Sequence, residues 1–415
     1  MNFSLWFSKK LKLNAGGSGA NATGITIAVA GVALALAIME CTIAIVGGFK
    51  QQITDKIMGF EGQISVLPAF DYSTSQSAST LEASDTLIDF ITSEMPDAKV
   101  VMKFNQPGIL KTPNNFAGAY FIGYGDNYDY TFEKGNLIDG RFPNLQESDK
   151  EICISSAMSE RLGLAIGDKV DACFFIDNAI KSRRYEVAGI YNTGFSDYDD
   201  TIIFAPIASL QNVANADSRA CTSLSLYGIN QDDIETDSES LQIKLIDQYR
   251  SGKWGELYPV DNVKHTGALY FNWLNLLDTN VIVIFILMSC VAAFTLISSI
   301  FILILDHIPT IGLLKALGAS NAKIRNIFNF LAMKIVGWGV LIGNVFGLGL
   351  LYMQSKFELI SLNPEMYYLP YVPVAINWWW IILLNVCLIC LAWCLLIIPS
   401  RSAAKISPSE TLNFE

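Results

Sequence analysis

The chain has 415 residues, of which 52% are hydrophobic and only 16% charged. Soluble domains carry about 25% charged residues, so the composition points to a membrane protein. The net charge of -11 is uneven: residues 50–278 hold 33 acidic and 18 basic side chains, and the rest of the chain is net positive. That block has no cluster of Lys and Arg to meet phosphates, which excludes nucleic acid as a partner.

Four apolar runs reach the ~20 residues that a helix needs to cross the hydrocarbon core. Transmembrane helix 1 is expected over residues 25–49, broken only by Glu40. Helix 2 covers 281–305, helix 3 covers 328–353 and contains Lys334, and helix 4 covers 378–398. The first run follows Lys9, Lys10 and Lys12 but exceeds the roughly 7 to 15 apolar residues of a signal-peptide core, and so reads as a retained anchor.

Short flanking segments set the orientation. Residues 1–24 and the link 306–327 are basic, whereas residues 354–377 carry Lys356 against Glu358 and Glu365. Both termini, including the tail 399–415, are therefore expected in the cytoplasm, with residues 50–278 and the loop 354–377 outside. Trp273 and Trp378 to Trp380 fall where interfacial Trp belongs. The fold class is an α-helical membrane protein with four transmembrane helices plus an α+β extracytoplasmic domain between helices 1 and 2.

Within that domain, residues 72–80 (YSTSQSAST) read as a loop or linker and residues 81–95 as a helix. Strands are expected at 151–155, 170–176, 185–191 and 201–205, with helices at 157–162, stopped by Gly163, and at 238–250. Asp197, Asp199 and Asp200 lack the Gly and terminal Glu of a calcium loop and read as a solvated turn. The charges at 181–184 and 232–237 read as a solvated hairpin and a helix entry. Two His and no paired CxxC motifs argue against zinc. Cys153, Cys173 and Cys221 define no disulfide framework, and whether any two pair stays open.

Residues 306–330 (DHIPTIGLLKALGASNAKIRNIFNF) are the most informative stretch. Pro309 fits a helix start, Gly318 a stop, and Ser320 or Asn321 a cap for the next helix. Ile311, Leu314 and Leu317 form an apolar stripe with no obvious cover in the chain, suited either to the membrane interface or to a groove on a cytoplasmic partner. In the spans, Gly339, Gly343 and Gly347 form a small-residue ridge for helix packing, and Cys387, Cys390 and Cys394 share one face of helix 4. Glu40 is costly in a membrane. With Met39 and Ile43 it either lines a substrate cavity or pairs with a neighbouring helix.

Residues 310–319 (TIGLLKALGA) resemble the coupling helix of the MacB, LolC/LolE and FtsX group of ABC-transporter permeases. The ending 399–415 (PSRSAAKISPSETLNFE) is similar to that group's P-x-R-x-A-x-x-x-x-P-x-E-x-L tail. Residues 46–60, 151–171, 185–210 and 359–375 look most like the lipoprotein-releasing LolC/LolE permeases. The resemblance implies a non-catalytic permease of the bacterial inner membrane with a periplasmic domain. It implies ATPase coupling through Ile311, Gly312, Leu314, Lys315, Ala316, Leu317, Gly318 and Ala319, and a dimer with a second permease chain, identical or different. ATP and Mg would be bound by the partner ATPase, with no cofactor here, since no GxxxxGK[ST] loop is present. Cargo would be a lipoprotein, passed to a periplasmic chaperone. The connection 177–184 (DNAIKSRR) is shorter than the hairpin of the family's chaperone-recruiting member and lacks its Pro, which departs from that pattern. The group also contains FtsX-like regulators of an outer enzyme and MacB-like efflux of small amphiphiles, which remain alternatives.

Overall fold

The computed structural model describes residues 19–69, 79–144, 148–176 and 178–395. The N-terminal lysines, most of the 72–80 stretch and the 399–415 tail lie outside the described residues. The chain divides into two compact units.

The first unit is helical. Helix one (Gly19–Phe60), helix two (Ala268–Asp306), helix three (Asn321–Phe357) and helix four (Trp378–Leu395) are each long and apolar enough to cross a membrane. Helix one runs on without a break past residue 49 to Phe60. The helices pack through Val32, Leu36 and Met39 of helix one, Leu296 of helix two, Val336 of helix three and Leu384 and Leu388 of helix four. Most other side chains of helices two and four point away from this core, as expected of surfaces that meet lipid or a partner.

The second unit comprises Gln52–Trp273 and Leu362–Pro370. Six strands form its centre: β1 (Lys99–Lys111), β2 (Phe116–Tyr124), β3 (Glu151–Ser155), β4 (Lys169–Ile176), β5 (Ala179–Tyr191) and β6 (Ile202–Phe204). Their pairings run β1-β2-β6-β3-β5-β4 and return to β1, so the ladder closes on itself. Closure works because β1 is long: its Lys99–Lys103 half pairs with Ser223–Tyr227, and its 109–111 end with β4. Alternation does the sorting, since Val170, Ala172, Phe174 and Ile176 of β4 all point inward. They meet Phe121, Ile152, Tyr185 and Val187, with Met158 and Leu210 supplied by helices Ser156–Leu162 and Ile207–Ala214.

Several expectations need correction. Residues 81–95 are not one helix: Leu81–Glu82 pairs with Ala220–Cys221, and the helix begins at Asp85 because the Ser84 hydroxyl accepts from the Leu87 amide. The 177–184 connection is shorter than expected: the basic run 181–184 already lies on β5 of the β4–β5 hairpin, whose pairing begins at Ile176 with Ala179, beside Asn178 at φ +61°. Arg184 forms a two-pronged pair with Asp171. Asp199 is no solvated carboxylate; it is 4% exposed and accepts from the Thr193 amide and hydroxyl. Burial raises its pKa while those hydrogen bonds oppose the shift. Cys153, Cys173 and Cys221 are free thiols. Among the described residues no group of His, Cys, Asp or Glu could hold a metal ion.

Residues Leu362–Pro370, between helices three and four, belong to the second unit. Asp197 accepts from the hydroxyls of Tyr270 and Tyr368, Phe195 packs on both rings, and Lys56 donates to the Tyr368 carbonyl. Tyr368 takes φ +59°, an uncommon conformation for a residue with a side chain, held here by these contacts. Sequence spacing carried no sign of this, since the partners stand 171 positions apart.

Candidate functional site

The short helix Ile308–Ala316 sits between helices two and three, with Pro309 in its first turn. Gly318 ends it at φ +86°, and the Gly318 and Ala319 amides return to the carbonyls of Lys315 and Leu314. Ile311 is buried among Ile300, Leu303 and Ile304 of helix two and Ile324 and Phe328 of helix three, with Ala28 of helix one in the same cluster. Gly312 is buried, Leu314 and Lys315 are half-buried, and Ala316 and Gly318 are exposed. Ala319 packs on the cluster.

The apolar stripe at Ile311, Leu314 and Leu317 is therefore not a single open face. Ile311 is covered by the chain itself, whereas Leu313 and Leu317 are 63% and 77% exposed, one turn apart. The free edge of this helix is Leu313 with Leu317. Spacing revealed the helix but not which of its apolar residues the spans would cover.

Gly339, Gly343 and Gly347 face helix one. A β-carbon on Gly339 would meet the Val32 side chain at 2.8 Å, one on Gly343 the Ala33 carbonyl at 2.9 Å, and one on Gly347 the Glu40 carboxylate and the Ala37 backbone. Glu40 is fully buried. Neither of its oxygens has a hydrogen-bond partner. Asn385 and Asn344 exchange reciprocal amide hydrogen bonds of 2.8 and 3.1 Å between helices four and three. These two Asn were visible in the apolar runs and their spacing gave no pairing. Lys334 is exposed.

Met39 and Ile43 lie on a different side of helix one from that contact. They line a cavity of about 1000 Å³ together with Phe285 of helix two and Trp380, Leu384 and Leu388 of helix four. Glu40 is not among the residues that line it. The walls are mostly hydrocarbon and aromatic, with Gln51, Ser289 and Asn377 among them and one ion pair, Lys50 with Asp278 at 2.7 Å. Such a space can take up apolar chains.

Four apolar helices and a separately folded α/β unit define a multi-span membrane protein with a large extramembrane domain. Residues 25–242 match the MacB-like periplasmic core domain, and residues 282–408 match the FtsX-like permease C-terminal domain. The chain belongs to this MacB/FtsX-like family of ABC-transporter permeases, and resembles its lipoprotein-releasing members. It is 21% identical over 403 residues to the lipoprotein-releasing system transmembrane protein LolC of Xylella fastidiosa strain Temecula1, covering 91% of each chain. It is 22% identical over 294 residues to LolE of Haemophilus influenzae, covering 67% of this chain and 68% of LolE. Among solved structures, the extracellular domain of YknZ from Gram-positive bacteria aligns over 48% of this chain and all of its own, with 16% identity and a TM-score of 0.34. The periplasmic region of MacB from Actinobacillus actinomycetemcomitans aligns over 50% and 92%, with 14% identity and a TM-score of 0.33.

Proposed function

We propose that this chain is the permease subunit of an ABC complex that extracts lipid-anchored proteins from the bacterial inner membrane, using ATP hydrolysed with Mg by a separate ATPase. The observation that carries this reading is similarity to LolC across 91% of the chain. In this reading both termini are cytoplasmic, the Gln52–Trp273 unit is periplasmic, and a second permease chain completes the transmembrane part. Leu313 and Leu317 meet the ATPase, and Ile311 ties their helix to the spans.

The cavity supports the cargo class. Each buried CH2 contributes about 0.8 kcal/mol, so an acyl chain leaving the bilayer needs an apolar wall of this kind to replace lipid.

The test is release of a triacylated lipoprotein from proteoliposomes containing this chain, its copurifying ATPase and any second permease. ATP-dependent transfer of the lipoprotein to a soluble acceptor is expected. Intact ATPase coupling without release would overturn the cargo assignment, and septation defects with normal lipoprotein sorting on depletion would favour an FtsX-like regulator.

A further inference from the structure

From Gln52 onward helix one belongs to the second unit, and its last residue, Phe60, lies in an aromatic pocket of that same unit. The last carbonyls of a helix have no partner within it, and here side chains supply them. The Tyr128 hydroxyl lies 3.2 Å from the Gly59 carbonyl oxygen, while the Phe60 carbonyl accepts from Tyr124 Oη at 3.1 Å and Lys103 Nζ at 3.0 Å. Lys103, itself buried, also pairs with Glu61 at 2.7 Å. Beside them, on the short helix Thr131–Gly135, stands Glu133. It is 1% exposed, with Oε1 2.8 Å from Tyr128 Oη and Oε2 without a partner.

The proton count decides its state. A phenol has one hydrogen to donate, yet Tyr128 stands within reach of two acceptors, the Gly59 carbonyl and Glu133 Oε1. If Glu133 is a carboxylate, one of the two goes unserved and Oε2 is a buried, unpaired charged oxygen, the costliest arrangement. If Glu133 is a neutral acid, its hydroxyl donates to Tyr128, Tyr128 donates to Gly59, and Oε2 is a neutral carbonyl oxygen. We propose that Glu133 is the proton-binding element of a pH-sensitive helix cap within the second unit, in which a Glu133–Tyr128–Gly59 hydrogen-bond relay holds the last turn of helix one when the acid is neutral and is broken when it ionises.

The surroundings agree. Asp129 and Tyr130 come from the same turn, Tyr124 from β2, Tyr227 from the neighbouring strand, Cys153 from β3 and Glu61 from the chain after helix one. Lys103 of β1 is the facing cation, and it is engaged by the Phe60 carbonyl and Glu61. Burial pushes the Glu133 carboxyl up to about 7; its own amide and the Tyr128 hydroxyl pull the other way, Asp129 adds to the rise and Lys103 opposes it. The folded chain thus holds a proton that the unfolded chain, with its carboxyl at 4.5, has released. This contribution to stability is complete below the unfolded value and is lost as pH rises through about 7.

The experiment uses the full chain in lipid nanodiscs, with its unfolding midpoint followed from about pH 5 to about pH 8.5. The wild type should lose stability across this range, whereas Glu133→Gln, whose amide can replace the acid as donor to Tyr128, should lose less. Equal slopes would overturn the proposal. Infrared spectra of 13C-glutamate-labelled protein give a reading independent of that variant's folding: a buried protonated carboxyl at about pH 6, ionising near neutrality. Absence of the protonated band in wild type would also overturn it. These outcomes do not depend on what the permease carries.

Discussion

The Glu40 carboxylate rests against the backbone of Gly347, so that a β-carbon built on the glycine would collide with Oε2. A fully buried acid in an apolar helix is tolerated here because helix three offers a surface without side chains, keeping the carboxyl inside protein rather than in lipid.

Gly347→Ala should therefore separate helices one and three and cost about 1–3 kcal/mol, the usual range for overpacking a closed contact. Gly339→Ala should act alike against Val32, whereas Gly349→Ala, which meets nothing within 4 Å, should not. Thermal unfolding of the three variants in one detergent checks the order, and equal midpoints would refute the close-packing account.

On the short helix, Leu317→Asp should abolish copurification with the ATPase while leaving the unfolding midpoint near wild type, since that side chain is exposed. Ile311→Ala should do the reverse first, destabilising the chain by about 2–5 kcal/mol through the cavity left among helices two and three. Retained ATPase binding by Leu313→Asp/Leu317→Asp would sink the docking role.

The Asn344–Asn385 pair should be worth about 0.6–2 kcal/mol between helices three and four. A double-mutant cycle with Ala at both positions measures it directly. A coupling energy near zero would mean that the reciprocal geometry adds nothing to apolar packing around it.

Asp197→Asn should loosen the hold on Tyr368, because two phenols then donate to a neutral oxygen instead of a charged one. A loss of about 1–2 kcal/mol is expected. Hydrogen exchange of the Leu362–Pro370 amides should rise in the same variant. Unchanged exchange there would show that Phe195 and Lys56 suffice to hold the loop.

What could be read from the sequence were features of local chemistry. Long apolar runs, with Glu40 and Lys334 as their charged members, mark the four helices that are long and apolar enough to cross a membrane. Pro309 and Gly318 bracket the short helix, and period-two alternation marks β4 and β5. Tertiary structure alone decided which side of each element is covered. Ile311 is buried and Leu317 exposed although both belong to one apolar stripe, because helices two and three approach from one direction only. Glu40 could have lined the cavity with its neighbours Met39 and Ile43, but a helix turns about 100° per residue, and only packing against Gly347 fixed where the acid points. By sequence Glu133 is one of 33 acidic side chains in residues 50–278. It became a buried proton-binding group only when the fold placed Tyr128 and the end of helix one beside it, 69 positions apart in the chain.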